Sequence, residues 1–296
     1  VSKNSVWYSV YGSKGRMESF REDGSEDGVS HLYVNCDEYE GQNDSKPYEA
    51  DTSDDLTEIS AGHGHSGSDF YTMYHFVDAV RGNKYADIID IGACSTRPGS
   101  KAVDKGQEKR DLKEGLELLK KEYPNAIISV DTFRPTIAQW ALETGKADII
   151  NDVSGGMANM FETVAKYNVP YVLTYPEGGF SHDMMLFFSK KLEKLYSLGV
   201  ADVMLDPGFG FNKTMEQNYE IARNLDCLKC FNLPVLVGIS RKSMVQFATK
   251  TNANTALNGT TALNSFLLSK GANILRVHDT KEAKEVISIY KCINDL

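Results

Sequence analysis

The sequence is poor in the features that would place it outside ordinary α/β proteins. Its 296 residues include five cysteines, Cys36, Cys94, Cys227, Cys230 and Cys292. So few, and an odd number, argue against a disulfide framework and for a reducing compartment. Cys227 and Cys230 stand as a single C-x-x-C with no second pair. A zinc site needs more ligands than that, so the pair reads as one helical face meeting a turn. Positive charge is also short. Lys and Arg number 32 against 41 Asp and Glu, a formal net charge of -9, which excludes a general nucleic-acid-binding surface but leaves room for a local basic pocket. No apolar run approaches the ~20 residues needed to span a bilayer. The first residues, from Val1, contain no apolar core of a secretory signal. Hydrophobic residues at 41% and charged residues at 25% are ordinary for a globular chain.

What is present is a repeated unit of apolar run, polar tip, short Gly-bearing loop and helix. The clearest instance is VMLDPGFGF at 203–211. Its apolar run predicts a strand buried on both faces. Asp206 stands at its end, Pro207 cannot donate to a ladder, and Gly208 and Gly210 allow a tight turn. Strands are expected at 31–35, 87–91, 126–130, 148–150, 170–173, 201–205, 234–237 and 273–277. Helices are expected at 70–81, 108–122, 135–144, 159–166, 182–198, 215–224, 243–249, 258–269 and 282–292. Residues 1–30 read as a polar extension with one short strand near 6–11. Residues 37–68 read as a long loop dense in Asp, Glu, Ser and Gly. His63 and His65 lie in a glycine-flanked tip there; with no third ligand at fixed spacing they read as loop residues rather than a metal site.

Eight strands, each followed by a helical segment, predict parallel βαβ units, and in a chain of this length a single-domain (β/α)8 barrel over 31–296. In that fold the strand tips share one rim. Those tips carry Asn35, the Ser95–Thr96–Arg97 loop, Asp131, Asn151, Asp206, Lys242, Arg276 and His278. Singly, each polar residue after a strand is as well explained as a turn former or helix cap. Together they offer carboxylates and an amide for the N–H edge of a planar, nitrogen-rich ring, and an ammonium for its carbonyl. Arg97, Arg276 and His278 add positive charge suited to a phosphate. Arg276 sits in the otherwise apolar run ILRV, where a cation needs a partner; a structural ion pair with Asp279 or another rim acid is the plainer alternative.

DIIDIGACSTRPGS (87–100), VDTFR (130–134), IINDVSGG (149–156), LDPGFGF (205–211), VGISRKS (237–243) and LRVHD (275–279) resemble, in order and spacing, the dihydropteroate synthase family, with Cys94 similar to its fungal-type form. The resemblance implies condensation of 6-hydroxymethyl-7,8-dihydropterin diphosphate with p-aminobenzoate, a reaction blocked by sulfonamides. It implies a pterin set of Asp131, Asn151, Asp206, Lys242 and Arg276, with Asp131, Lys242 and Arg276 as catalytic residues. It implies a diphosphate set of Asn35, Arg97, Arg276 and His278, and a p-aminobenzoate side of Thr96, Arg97, Pro98, Phe211 and Ser240. It further implies Mg2+ held with the help of Asn35, a homodimer, small-molecule partners with no nucleic acid or membrane, and residence in the cytoplasm or the mitochondrion. Other folate-pathway domains before Val1 would suit the fungal-type form.

The pattern departs from the family in two places. Asn35 is followed by CDEYEG rather than a Thr-Pro-Asp-Ser-Phe run. The fifth-strand tip reads LTYPE at 173–177 rather than a Met-His-Met-like segment, with Tyr175 as a candidate aromatic wall. The first departure motivates an alternative: a catalytically impaired pterin-binding barrel with a scaffold or interaction role.

Overall fold

The computed structural model describes residues 86–94, 103–157 and 159–294, and the strand backbone at 9–12, 15–19, 32–36 and 46–48. The chain divides into two compact units, Val1–Lys84 and Tyr85–Leu296.

The first unit contains β1 (Ser9–Gly12), β2 (Gly15–Ser19), β3 (Leu32–Cys36) and β4 (Lys46–Tyr48). They form one antiparallel sheet in chain order. The strand expected at 31–35 exists, but it does not enter a parallel ladder. Asn35 pairs with Arg16 of β2, and Leu32 with Tyr48 of β4. Connection length fits the pairing at two of the three joints: two residues separate β1 from β2 and nine separate β3 from β4, both shorter than the dozen or more that a parallel crossover needs. The helix expected at 70–81 and His63 and His65 lie outside the described residues.

The second unit alternates strands and helices. In order they are β5 (Ile88–Ile91), α1 (Lys105–Glu122), β6 (Ile127–Asp131), α2 (Pro135–Glu143), β7 (Ile149–Asp152), α3 (Met160–Tyr167), β8 (Tyr171–Thr174), α4 (His182–Ser197), β9 (Val203–Asp206), α5 (Met215–Arg223), β10 (Leu236–Val237), α6 (Ser243–Thr249), α7 (Leu257–Ser269), β11 (Ile274–Leu275) and α8 (Thr280–Asn294). β5 to β9 pair in parallel with each strand beside its successor. A bridge between Leu205 and Val235 carries the ladder to β10, which pairs in parallel with β11. Sequential parallel order is the winding of a barrel rather than of a doubly wound sheet.

The pleat decides what faces where. Ile88, Ser129, Ile149, Val172, Met204, Leu236 and Ile274, one from each strand, line a common central cavity. The sheet therefore curls around an interior. The alternate residues Ile128, Val130, Ile150 and Leu173 are fully buried, as outward positions covered by helices should be. On α1 the buried stripe is Leu112, Leu116 and Leu119, at the spacing that puts side chains on one face. Each such burial is worth about 1.5–3 kcal/mol.

Local signals set the helix starts. Asp104 caps α1, its carboxylate accepting from the Gly106 N–H at 2.9 Å, which places the start three residues before the expected 108. Pro135 opens α2, where its missing N–H costs nothing. Thr214 and Gln217 form a capping box at α5. Cys227 and Cys230 lie in the 3-10 segment Leu225–Phe231, exposed and free.

Candidate active site

The inward positions at the C-terminal ends of the strands are polar, and they converge. Asp90 of β5, Asp131 of β6 and Asn151 of β7 stand on adjacent strands, Asp131 paired in register with Asn151. Arg276, just past β11, reaches across to them. Its Nε donates to Asp90 Oδ2 at 2.7 Å and an Nη to Asp131 Oδ2 at 3.1 Å. The last strand thus closes back on β5 through an ion pair. Of the partners the sequence suggested for Arg276, Asp279 or another rim acid, the structure shows rim acids, Asp90 and Asp131, while Asp279 is paired with Arg241, a residue at φ 55°.

Burial governs the electrostatics. Asp131 is 9% exposed. Burial first, then the neighbouring Asp90 charge, push its carboxyl up to about 7, against the opposing pull of Arg276. Asp206 at the end of β9 is also raised by burial, though the Gly208 N–H donates to it at 2.7 Å and Lys242 lies in range. Lys242 is pushed down to about 8 by burial despite Asp206. Its ammonium donates to the Phe209 carbonyl and sits 4.9 Å from the Phe211 ring centre. Lys213 is likewise lowered by burial to about 8, and donates to the Tyr175 carbonyl at 3.0 Å.

Two buried side-chain atoms at the tips of adjacent strands have no partner, Asn151 Oδ1 and Thr174 Oγ1. A buried acceptor left open at a strand tip is costly unless a ligand satisfies it. With Asp131 and Asp206 it makes a wall of acceptors, while Lys242 and Arg276 supply donors. That set matches a flat ring with an N–H edge and a carbonyl.

The loops after β10 and β11 are tied to each other. Ser240 Oγ accepts from the His278 N–H at 3.2 Å and lies 2.9 Å from its Nδ1. Ser240 is buried. Gly208 and Gly210 adopt φ of 71° and 80°, and at Gly208 a Cβ would lie 2.1 Å from the Tyr175 carbonyl oxygen, so the loop after β9 requires glycine there.

Of the residues singled out from the sequence, Asp131 and Arg276 are in direct contact, Asn151 joins them through Asp90, and Asp206 and Lys242 act on the same group of charges. Phe211 lies against Lys242, and Ser240 against His278. Tyr175 is 8% exposed and packs edge-on against Phe187, which makes it part of an aromatic cluster. Thr96, Arg97 and Pro98 lie outside the described residues. Asn35 belongs to β3 in the first unit, with its side chain outside them as well. Sequence reading missed Asp90 and Lys213. Asp90 was hidden inside DIIDI, where the one inward acid is visible only once the strand's alternation is taken seriously.

Known proteins carry the same pattern. The pterin binding enzyme family matches over residues 82–278. The chain is 38% identical over 226 residues to the folic acid synthesis protein fol1 of Pneumocystis carinii, a match covering 69% of this chain and 30% of that protein. It thus spans under a third of that longer relative. It is 35% identical over 215 residues to dihydropteroate synthase of Streptococcus pyogenes, covering 69% of this chain and 80% of that one. Among solved structures, dihydropteroate synthase from Clostridium difficile in the presence of pteroic acid superposes with a TM-score of 0.71 and 33% identity, over 79% of this chain and 93% of the other. The Yersinia pestis enzyme with a sulfonamide drug complex gives 0.69 and 30%, over 78% and 88%. The family match takes in the seven parallel strands found among the described residues and the tip residues from Asp90 to His278, and the chain belongs to the pterin binding enzymes, among the dihydropteroate synthases.

Proposed function

We propose that the protein is a transferase that condenses 6-hydroxymethyl-7,8-dihydropterin diphosphate with p-aminobenzoate, giving dihydropteroate and diphosphate. The observation that carries this reading is the open, buried Asn151 Oδ1 beside Asp131 and Asp206, an acceptor wall that calls for a ring rich in N–H. In this reading Asn151 and Asp206 accept from the ring's N–H groups and Lys242 donates to its carbonyl. Asp131, when ionised, faces the positive charge that develops as the methylene C–O bond breaks, and Arg276 and His278 meet the departing diphosphate. The amine nitrogen then bonds to the methylene carbon and loses a proton, so positioning matters more than a strong base. Phe211 and Ser240, with Thr96, Arg97 and Pro98, are assigned to p-aminobenzoate.

Mg2+ fits this scheme as a companion of the diphosphate. Among the described residues no group of three or more His, Cys, Asp or Glu could hold a metal ion, and at phosphate sites Mg2+ takes only one or two protein oxygens. Asn35 is the residue assigned to it. When bound, the ion would offset the charge of the leaving diphosphate.

The partners in this reading are small molecules and a second copy of the chain. Exposed Phe247 on α6, Phe266 on α7 and Ile289 and Ile293 on α8 supply apolar surface for a homodimer, which sedimentation would reveal. Among the described residues no helix is long and apolar enough to cross a membrane. The cytoplasm or the mitochondrion is the proposed setting. We assign the catalytic body to 31–296, its parallel strands all within Tyr85–Leu296, while the strand at 32–36 shares a sheet with the strands of the 1–30 extension.

The decisive experiment supplies both substrates and Mg2+ to the purified chain and follows diphosphate release. We expect turnover that a sulfonamide inhibits in competition with p-aminobenzoate. The antiparallel pairing of the strand that carries Asn35 favours the second reading, a pterin-binding barrel without turnover. Tight pterin binding with no product would select it.

A further inference from the structure

We propose that Asp90 is a positioning residue of the pterin site: it fixes the Asn151 amide with its oxygen toward the ligand and holds the Arg276 guanidinium beside it. The proposal deepens, and rests on, the pterin reading above.

The argument is one of donors and acceptors. Asp90 faces the barrel interior, lining the central cavity together with Asn151 and Arg276. Its carboxylate accepts from Arg276 Nε at 2.7 Å, a charge-assisted bond to a cation that never loses its proton at working pH. An ionised carboxylate can only accept. The Asn151 amide must therefore turn its nitrogen to Asp90, and Nδ2 lies 3.2 and 3.4 Å from the two carboxylate oxygens. That leaves Asn151 Oδ1 pointing elsewhere, buried and unpartnered. Without Asp90 the amide is free to present either end. With it, the site reads a ring N–H and rejects a bare ring nitrogen at the same place, since lone pair would then face lone pair. Asp90 thus sets specificity through Asn151 without being assigned a bond to the ligand.

The test is a cycle of four proteins: wild type, Asp90→Ala, Asn151→Ala and the double variant. Binding of 6-hydroxymethylpterin is followed by calorimetry. Loss of one preorganised hydrogen bond predicts that Asp90→Ala weakens binding about tenfold in the wild-type background. In the Asn151→Ala background it should weaken binding less, by under about threefold, because one of the two groups it positions is gone. KM for the pterin substrate should rise accordingly, with KM for p-aminobenzoate unchanged. Equal losses in both backgrounds, or none in the first, would overturn the proposal. Asp90→Asn, which keeps the volume, serves as the second variant. Its expected loss is at least about threefold, on the same hydrogen-bond scale, and unchanged affinity counts against the idea.

A pH profile separates positioning from bulk structure. Asp131 is faced by Asp90 from β5, Asp152 from β7, Asp206 from β9, Lys242 after β10 and Arg276 after β11. Removing the Asp90 charge should move the acid limb of kcat/KM to lower pH; an unmoved limb is the contrary result. Should the wild type bind no pterin, the functional reading falls by itself. The Asp90–Asn151 coupling in the urea unfolding of the same four proteins then decides the orientation. About fivefold in the unfolding equilibrium is expected, and additivity refutes it.

Discussion

Replacing Asp131 by Asn should make the empty protein more stable at pH 8 while abolishing turnover. Asp131 is buried among acids, and its carboxyl is lifted from 3.8 to about 7. A carboxyl with a raised pKa binds its proton more tightly folded than unfolded. Its contribution is fully present below pH 3.8 and is lost as pH rises through about 7. Three pH units at about 1.4 kcal/mol each set the largest loss near 4 kcal/mol. Asn has no proton to lose, so its contribution is flat. The variant should therefore differ little from wild type at pH 5 and gain stability progressively, by up to about 4 kcal/mol, at pH 8. The net figure already contains the favourable pair with Arg276, because that pair lowers the same pKa. Urea unfolding of the ligand-free proteins at pH 5, 6, 7 and 8 reads it as a shift in midpoint with unchanged slope. A difference independent of pH, or a variant less stable at pH 8 than at pH 5 relative to wild type, would refute the reasoning. The trade is physical: the charge that destabilises the empty site is the one proposed to meet the cation of the reaction.

Three other outcomes are expected. Lys242 is lowered to about 8, so it contributes stability above pH 10.5 that is lost as pH falls through 8; Lys242→Met should raise ligand-free stability at pH 7 by about 1–3 kcal/mol while abolishing pterin binding by calorimetry. Gly208→Ala forces a Cβ to within 2.1 Å of the Tyr175 carbonyl oxygen at a positive φ, and should cost about 2–4 kcal/mol in urea unfolding. Glu108 is fully buried, pairs with Arg134 and accepts from Thr132 at 2.7 Å. Glu108→Gln should destabilise by about 3–5 kcal/mol, and adding Arg134→Met should recover part of that by removing the stranded cation.

Much of this protein could be read along the chain because its signals are local. A period of two within each strand, Pro135 at a helix start and glycines where the chain must turn left-handed all act over a few residues, although the Asp104 cap, equally local, went unread and left α1 expected three residues late. So does the placing of a polar side chain at the end of an apolar run, which is why Asp131, Asn151, Asp206 and Lys242 could be named from their positions after strands. The parallel winding follows from the regular alternation of such units from residue 87 onward, not from the count of eight, since the strand at 32–36 pairs antiparallel.

Tertiary structure decided what joins residues far apart. Asp90 and Arg276 lie 186 positions apart, and no pattern along the chain says that the last strand tip returns to the inner acid of β5. The same holds for Arg241, which takes Asp279 and so settles that Arg276 pairs with the other rim acids, Asp90 and Asp131. The partner of β3 was decided there too: an apolar stretch reads alike in a parallel and an antiparallel ladder, and only the short connections around it and the strands beside it select between them. Charge is the last such property. Whether Asp131 holds a proton at neutral pH depends on burial and on acids from three other strands, and those are brought together only when the barrel closes around them.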